Sequence, residues 1–134
     1  MDLERIKQEV KELDVFTNHC GIKLVDLTLG KAVLESEPVE EFPANNFSGN
    51  VHGGFIFTMA DVAGGLSVVS YGRNCVTIDS SINFIKGTKS GKLTAEGEVL
   101  HKGKSTAVAK VLIYNEKRQP VAAATLTMFL LEEL

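Results

Sequence analysis

Residues 52–72 read HGGFIFTMADVAGGLSVVSYG, and no other stretch restricts the fold as much. Phe55, Met59, Val62, Leu66 and Val69 recur at helical spacing, yet the positions between them are apolar or small as well. A helix that is apolar all round is buried all round. The rest of the chain must therefore wrap a helix predicted over residues 53–71. The run is near the ~20 residues of a membrane span. It contains Asp61, Thr58, two serines and five glycines, however, and amphipathic strands follow it. A core helix fits better than a span. Asp61 is the one side chain in the run that is charged at neutral pH. Ionised groups in apolar surroundings are usually paired or do chemistry.

The wrap is legible downstream. After Gly72 the hydrophobic period changes from 3.6 to 2. Across residues 76–86, Val76, Ile78, Ile82 and Phe84 share one face, and Thr77, Asp79, Ser81 and Asn83 the other. Residues 93–100, 105–114 and 121–130 alternate too, with glycine or proline between the runs. Four strands with short connections predict an antiparallel meander. Upstream, residues 22–37 read as two strands hinged at Gly30, and residues 37–50 as a loop rich in proline, asparagine and glycine. Leu3, Ile6, Val10, Leu13 and Phe16 form one apolar stripe, which predicts an N-terminal helix within residues 1–18. The whole is read as a single α+β domain, 1–134: one antiparallel sheet around a central helix. The sheet's other face must meet water or another subunit.

Composition removes several functions. A net charge of −3 gives no electrostatic case for nucleic acid or an anionic membrane. Cys20 and Cys75 lack the spacing of a metal site or a disulfide framework, and read as reduced thiols. The charged N-terminus is unlike a secretory signal, so a cytoplasmic protein is expected. No P-loop or dinucleotide fingerprint is present, and no cofactor or metal is expected.

The run HGGFIFTMAD, the small-residue helix after it, the upstream Asn46 and the four alternating strands together resemble the hotdog-fold acyl-CoA thioesterases. Their phenylacetic-acid-degradation (PaaI-like) branch is the nearest match. The resemblance covers roughly residues 20 to 130. It implies a hotdog fold, an acyl-CoA substrate, homodimers that share active sites, and often tetramers.

Hydrolysis of a thioester needs a group that polarises the carbonyl and a group that activates water. Gly53 and Gly54 open the helix, where backbone N–H groups lack internal partners and the dipole is positive. Without side chains they admit a carbonyl oxygen closely. The resemblance implies that the Gly53 N–H is the oxyanion donor, with Gly54 beside it in substrate binding. It implies that Asp61 is the general base or the nucleophile. It also implies that His52 holds the helix start, that Asn46 orients water or the carbonyl, and that Thr77 helps position the attacking water. Among Lys86, Lys89, Lys92, Lys102 and Lys104, the expected contacts to coenzyme A phosphates are Lys86 and Lys104.

Spacing then constrains the assembly. Asp61 lies seven residues beyond Gly54 on one helical face, a separation of roughly 10 Å. An oxyanion donor and a base must both come within about 3 Å of one carbonyl group. A straight helix cannot supply both, so either two chains supply them or one of the two assignments is wrong. The alternative reading is an acyl-CoA-binding module without turnover, in which Asp61 and Asn46 would have no task. The hydratase pairing of an Asp with a His in a loop–helix motif is not found.

Overall fold

The computed structural model describes residues 2–40 and 43–134. Part of the loop expected over 37–50 therefore lies outside the described residues. The elements are α1 (Leu3–Leu13), α2 (Val15–His19), β1 (Ile22–Thr28), β2 (Lys31–Ser36), α3 (Gly53–Val69), β3 (Arg73–Phe84), β4 (Thr94–Lys102), β5 (Thr106–Tyr114) and β6 (Pro120–Glu133). The six strands form one antiparallel sheet in the order β1-β2-β4-β5-β6-β3.

The sheet curls around α3, which packs on all six strands. Phe55, Ile56, Met59, Ala60, Ala63, Gly64, Ser67 and Val68 are the buried residues of the helix. They meet Leu34, Ala95, Val111, Ala124, Leu126 and Met128 of the sheet in one apolar core. Close approach rests on Gly97 of β4. A Cβ there would stand 2.5 Å from the Ala63 carbonyl oxygen, a backbone atom that cannot retreat. Gly97→Val is expected to cost about 3 kcal/mol by overpacking, measured as a lower urea midpoint. An unchanged midpoint would mean that α3 is not seated on β4.

Three expectations change. The last four strands are not a simple meander. β4, β5 and β6 follow one another, but β3 lies beyond β6 at the sheet's edge. The connection over residues 85–93 is long enough to cross over, and β3 gains a long register with β6, from Arg73↔Glu133 to Phe84↔Ala122. The N-terminal helix is two helices. Asp14 ends α1 and caps α2, its carboxylate accepting from the Thr17 N–H at 3.2 Å. The break turns the stripe: Ile6 is buried against Leu27 and Ala32, whereas Leu13 and Phe16 are 74% and 63% exposed.

The third change concerns α3. Only one side of it is buried. Gly54 is exposed, and Phe57, Thr58, Asp61, Val62, Gly65 and Leu66 are partly so. One sheet of this width covers one face of a helix, and the opposite face stays open. Asp61 sits on that open face, so its charge keeps access to water in the single chain.

Candidate active site

The N-terminus of α3 is organised by His52. Its backbone is extended, with φ −62° and ψ 134°, and its Nδ1 accepts from the Gly54 N–H at 3.0 Å. An accepting Nδ1 assigns the ring proton to Nε2. The His52 carbonyl accepts from the N–H groups of Phe55 and Ile56. That leaves one amide of the first turn, Gly53, with no acceptor among the described residues. Gly54, by contrast, has spent its N–H on His52, so only its bare Cα is available to a ligand. The Phe84 ring lies 3.4 Å from where a Gly53 Cβ would be.

Two turns on, Asp61 is tied to β3. The Thr77 hydroxyl donates to Asp61 Oδ1 at 2.7 Å and lies 3.1 Å from Met128 Sδ. Thr58 and Ser67 are not its partners: their hydroxyls donate to the carbonyls of Gly54 and Gly64. Thr77 reaches Asp61 because of a β-bulge. The register with β6 slips between Thr77 and Asp79. Before the slip Cys75 and Thr77 oppose the inward residues Leu130 and Met128; after it Ser80, Ile82 and Phe84 oppose Leu126, Ala124 and Ala122. Strict alternation would have put Thr77 and Ile82 on opposite faces. The bulge puts both on the helix side of the sheet, with Thr77 still exposed there, and leaves Val76 on the other side. Bulges re-aim side chains in this way.

Cys75 is a neighbour that residue patterns did not single out. Its thiol donates to the Gly65 carbonyl over 3.7 Å, and burial together with the nearby Asp61 pushes its pKa up to about 11. It is a neutral wall of the site at neutral pH, since the thiolate is the reactive form.

Asn46 does turn work. Its Oδ1 accepts from the N–H and hydroxyl of Ser48 and from the N–H of Asn50, which shapes the loop leading to His52. Its Nδ2 has no acceptor among the described residues. The two lysines are not brought together. Lys86 follows β3 at the Gly53 end, while the Lys104 carbonyl accepts from Arg73 Nη1 at the other end. Positions 76 and 84 between them are already roughly 26 Å apart along an extended strand. Lys86 and Lys104 of one chain therefore cannot hold the same phosphate. Lys89 lies with the Asn45 loop, Lys92 faces Glu37 at 3.9 Å, and Lys102 sits over the Tyr71 ring. Among the described residues no group of His, Cys, Asp and Glu could hold a metal ion, and no helix is long and apolar enough to cross a membrane.

A six-stranded antiparallel sheet curled around one helix is the hotdog fold. Residues 48–122 match the thioesterase superfamily, and the chain belongs to that family. It is 30% identical over 112 residues to the acyl-coenzyme A thioesterase PaaI of Escherichia coli, covering 83% of this chain and 79% of that protein. The structure of the E. coli PaaI protein superposes with a TM-score of 0.87 over 94% of this chain and 91% of that one, at 27% identity. A hypothetical thioesterase protein of Streptococcus pneumoniae crystallised with coenzyme A superposes with a TM-score of 0.82, at 35% identity, over 92% of this chain and 98% of that one. Two further structures of the S. pneumoniae protein carry alanine for an aspartate and for a threonine. Those two residues are 16 apart, as Asp61 and Thr77 are here.

Proposed function

We propose that this chain hydrolyses acyl-CoA thioesters in centres built by two copies of itself. The observation that carries the proposal is a separation within α3. The Gly53 N–H, which has no acceptor among the described residues, and the Thr77-held Asp61 carboxylate are eight residues apart, about 12 Å of helix. Two α3 helices running antiparallel would set Gly53 of one chain against Asp61 of the other. β3 offers the surface for such pairing. It is an edge strand with one neighbour, and Val76 and Ile78 on it are 47% and 57% exposed. An unpaired apolar edge invites a second strand.

In this centre the thioester carbonyl oxygen accepts from the Gly53 N–H of one chain. Asp61 of the other chain either removes a proton from the attacking water or attacks the carbonyl carbon itself. Negative charge grows on the oxygen and is met by the amide and the positive end of the helix. The C–S bond then breaks, and coenzyme A leaves as a thiolate that takes a proton; on the nucleophilic route water then hydrolyses the acyl–Asp61 anhydride, which releases the acid and restores the carboxylate. Thr77 holds the carboxylate, His52 fixes the first turn, and the Asn46 amide donates to substrate or water. Such hydrolysis needs no metal or redox partner. The crystallised complex of the S. pneumoniae protein with coenzyme A supports the substrate class, and the substituted aspartate and threonine there support Asp61 and Thr77 as the pair to test.

Mixing inactive chains tests the sharing directly. An Asp61→Asn chain and a Gly53→Pro chain, refolded together in equal amounts, form heterodimers in half of the dimers. Each heterodimer then has one intact centre, and about one quarter of wild-type thiol release returns. A centre confined to one chain predicts no recovery. Wild-type protein inert towards every acyl-CoA, yet binding them, would make the chain a binding module instead.

A further inference from the structure

A cavity separate from the cleft at the α3 N-terminus is present among the described residues. It lies on the other flank of the helix, under α1 and α2, and has a volume of about 530 Å³. Its apolar walls are Val10, Ile22, Leu24, Leu34, Val62 and Leu66, and Lys7, Lys11 and Lys23 stand around it. This cavity is open to solvent, and apolar walls with a few polar groups alongside are the usual form of a ligand site.

Its place relative to Asp61 gives it an occupant. Successive helical residues are about 100° apart. Measured around α3 from Asp61, Gly65 lies at about 40°, Val62 at about 100° and Leu66 at about 140°. The path over the helix from the carboxylate to the cavity therefore crosses Gly65. A Cβ at Gly65 would find no atom within 4 Å, so nothing in the same chain covers that crossing. At Gly64, one residue back, a Cβ would meet Leu126 at 3.0 Å. The helix is thus closely packed on its sheet side and bare where Asp61 and the cavity are joined.

We propose that this cavity receives the tail of a straight-chain acyl group whose thioester lies at Asp61, which makes medium- and long-chain acyl-CoAs the substrate class. The proposal rests on the thioesterase reading of the Asp61 centre. Val62 and Leu66 are then specificity-determining residues, Val10 is the end wall supplied by α1, and Gly65 is the saddle over which the chain passes. Each methylene that leaves water adds to transition-state binding, so kcat/KM should climb with chain length until the cavity is full.

The test has two arms. In the first, kcat/KM is measured for acetyl-, butanoyl-, octanoyl- and dodecanoyl-CoA. Wild type should prefer octanoyl over acetyl by about 10-fold or more. Val10→Trp, which fills the cavity from the side away from Asp61, should lower that ratio by about 10-fold or more. A ratio unmoved by Val10→Trp, in protein shown to be folded by circular dichroism, overturns the cavity assignment and leaves the thioesterase reading standing. The second arm needs no turnover. The sequence has no tryptophan, so Lys11→Trp in an Asp61→Asn background places one tryptophan, excited apart from the tyrosines, at the cavity. Dodecanoyl-CoA should shift its emission, and acetyl-CoA and free coenzyme A should not. An equal response to all three, or none to any, overturns the assignment. A selective response here, with wild-type protein that hydrolyses no acyl-CoA, would instead uphold the cavity and remove the thioesterase reading.

Discussion

Asp61→Asn is expected to lower thioester hydrolysis by about 10²-fold or more. The substitution keeps the shape of the side chain. Its Oδ1 can still accept from the Thr77 hydroxyl, so that bond and the local packing survive. What it loses is the negative charge and the capacity to take a proton or attack a carbonyl. The loss should therefore appear in kcat, with little change in KM or in the urea midpoint. Asp61 lies on the open face of α3, where no packing depends on its charge. Turnover within a few-fold of wild type would remove Asp61 from the reaction. A collapse in stability would make it a structural carboxylate.

Gly53→Pro is expected to lower hydrolysis by about 10²–10³-fold, the usual loss for one oxyanion donor. Proline is favoured at the first position of a helix, where the N–H has no internal partner. His52 already has the extended backbone that a residue before proline requires. The substitution therefore deletes a hydrogen-bond donor and leaves the helix start in place. Gly53→Ala is the matched control. It retains the N–H and adds a methyl in ordinary contact with the Phe84 ring, at 3.4 Å. Near-normal activity in the alanine variant with loss in the proline variant assigns the effect to the amide. Equal activity in all three would place the oxyanion elsewhere.

Much of this architecture follows from local pattern. An amino acid run without a polar face predicts a core helix because no orientation of it satisfies water. Alternation over residues 76–86, 93–100, 105–114 and 121–130 predicts strands because successive side chains leave a strand on opposite sides. Gly53 next to His52 marks a helix start with unpartnered amides, and Asp61 stands out as the lone charge in its run. Asp14 was legible only as a charged residue. Its capping of α2, which exposes Leu13 and Phe16, depends on where the two helices are docked.

The tertiary structure decided what composition and period leave open. Strand order is set by which edges meet, so β3 passed β4 and paired with β6. A bulge adds a residue without altering a pattern of residue types, so the inward turn of Thr77 towards Asp61 was invisible before the register was known. The sequence on its own determined which residues prefer a helix, a strand or the interior, since those preferences are local. Only the folded chain determined which face of α3 stays open, which amide of its first turn has no acceptor among the described residues and where an apolar cavity remains, because each depends on atoms far apart in sequence that meet only in three dimensions.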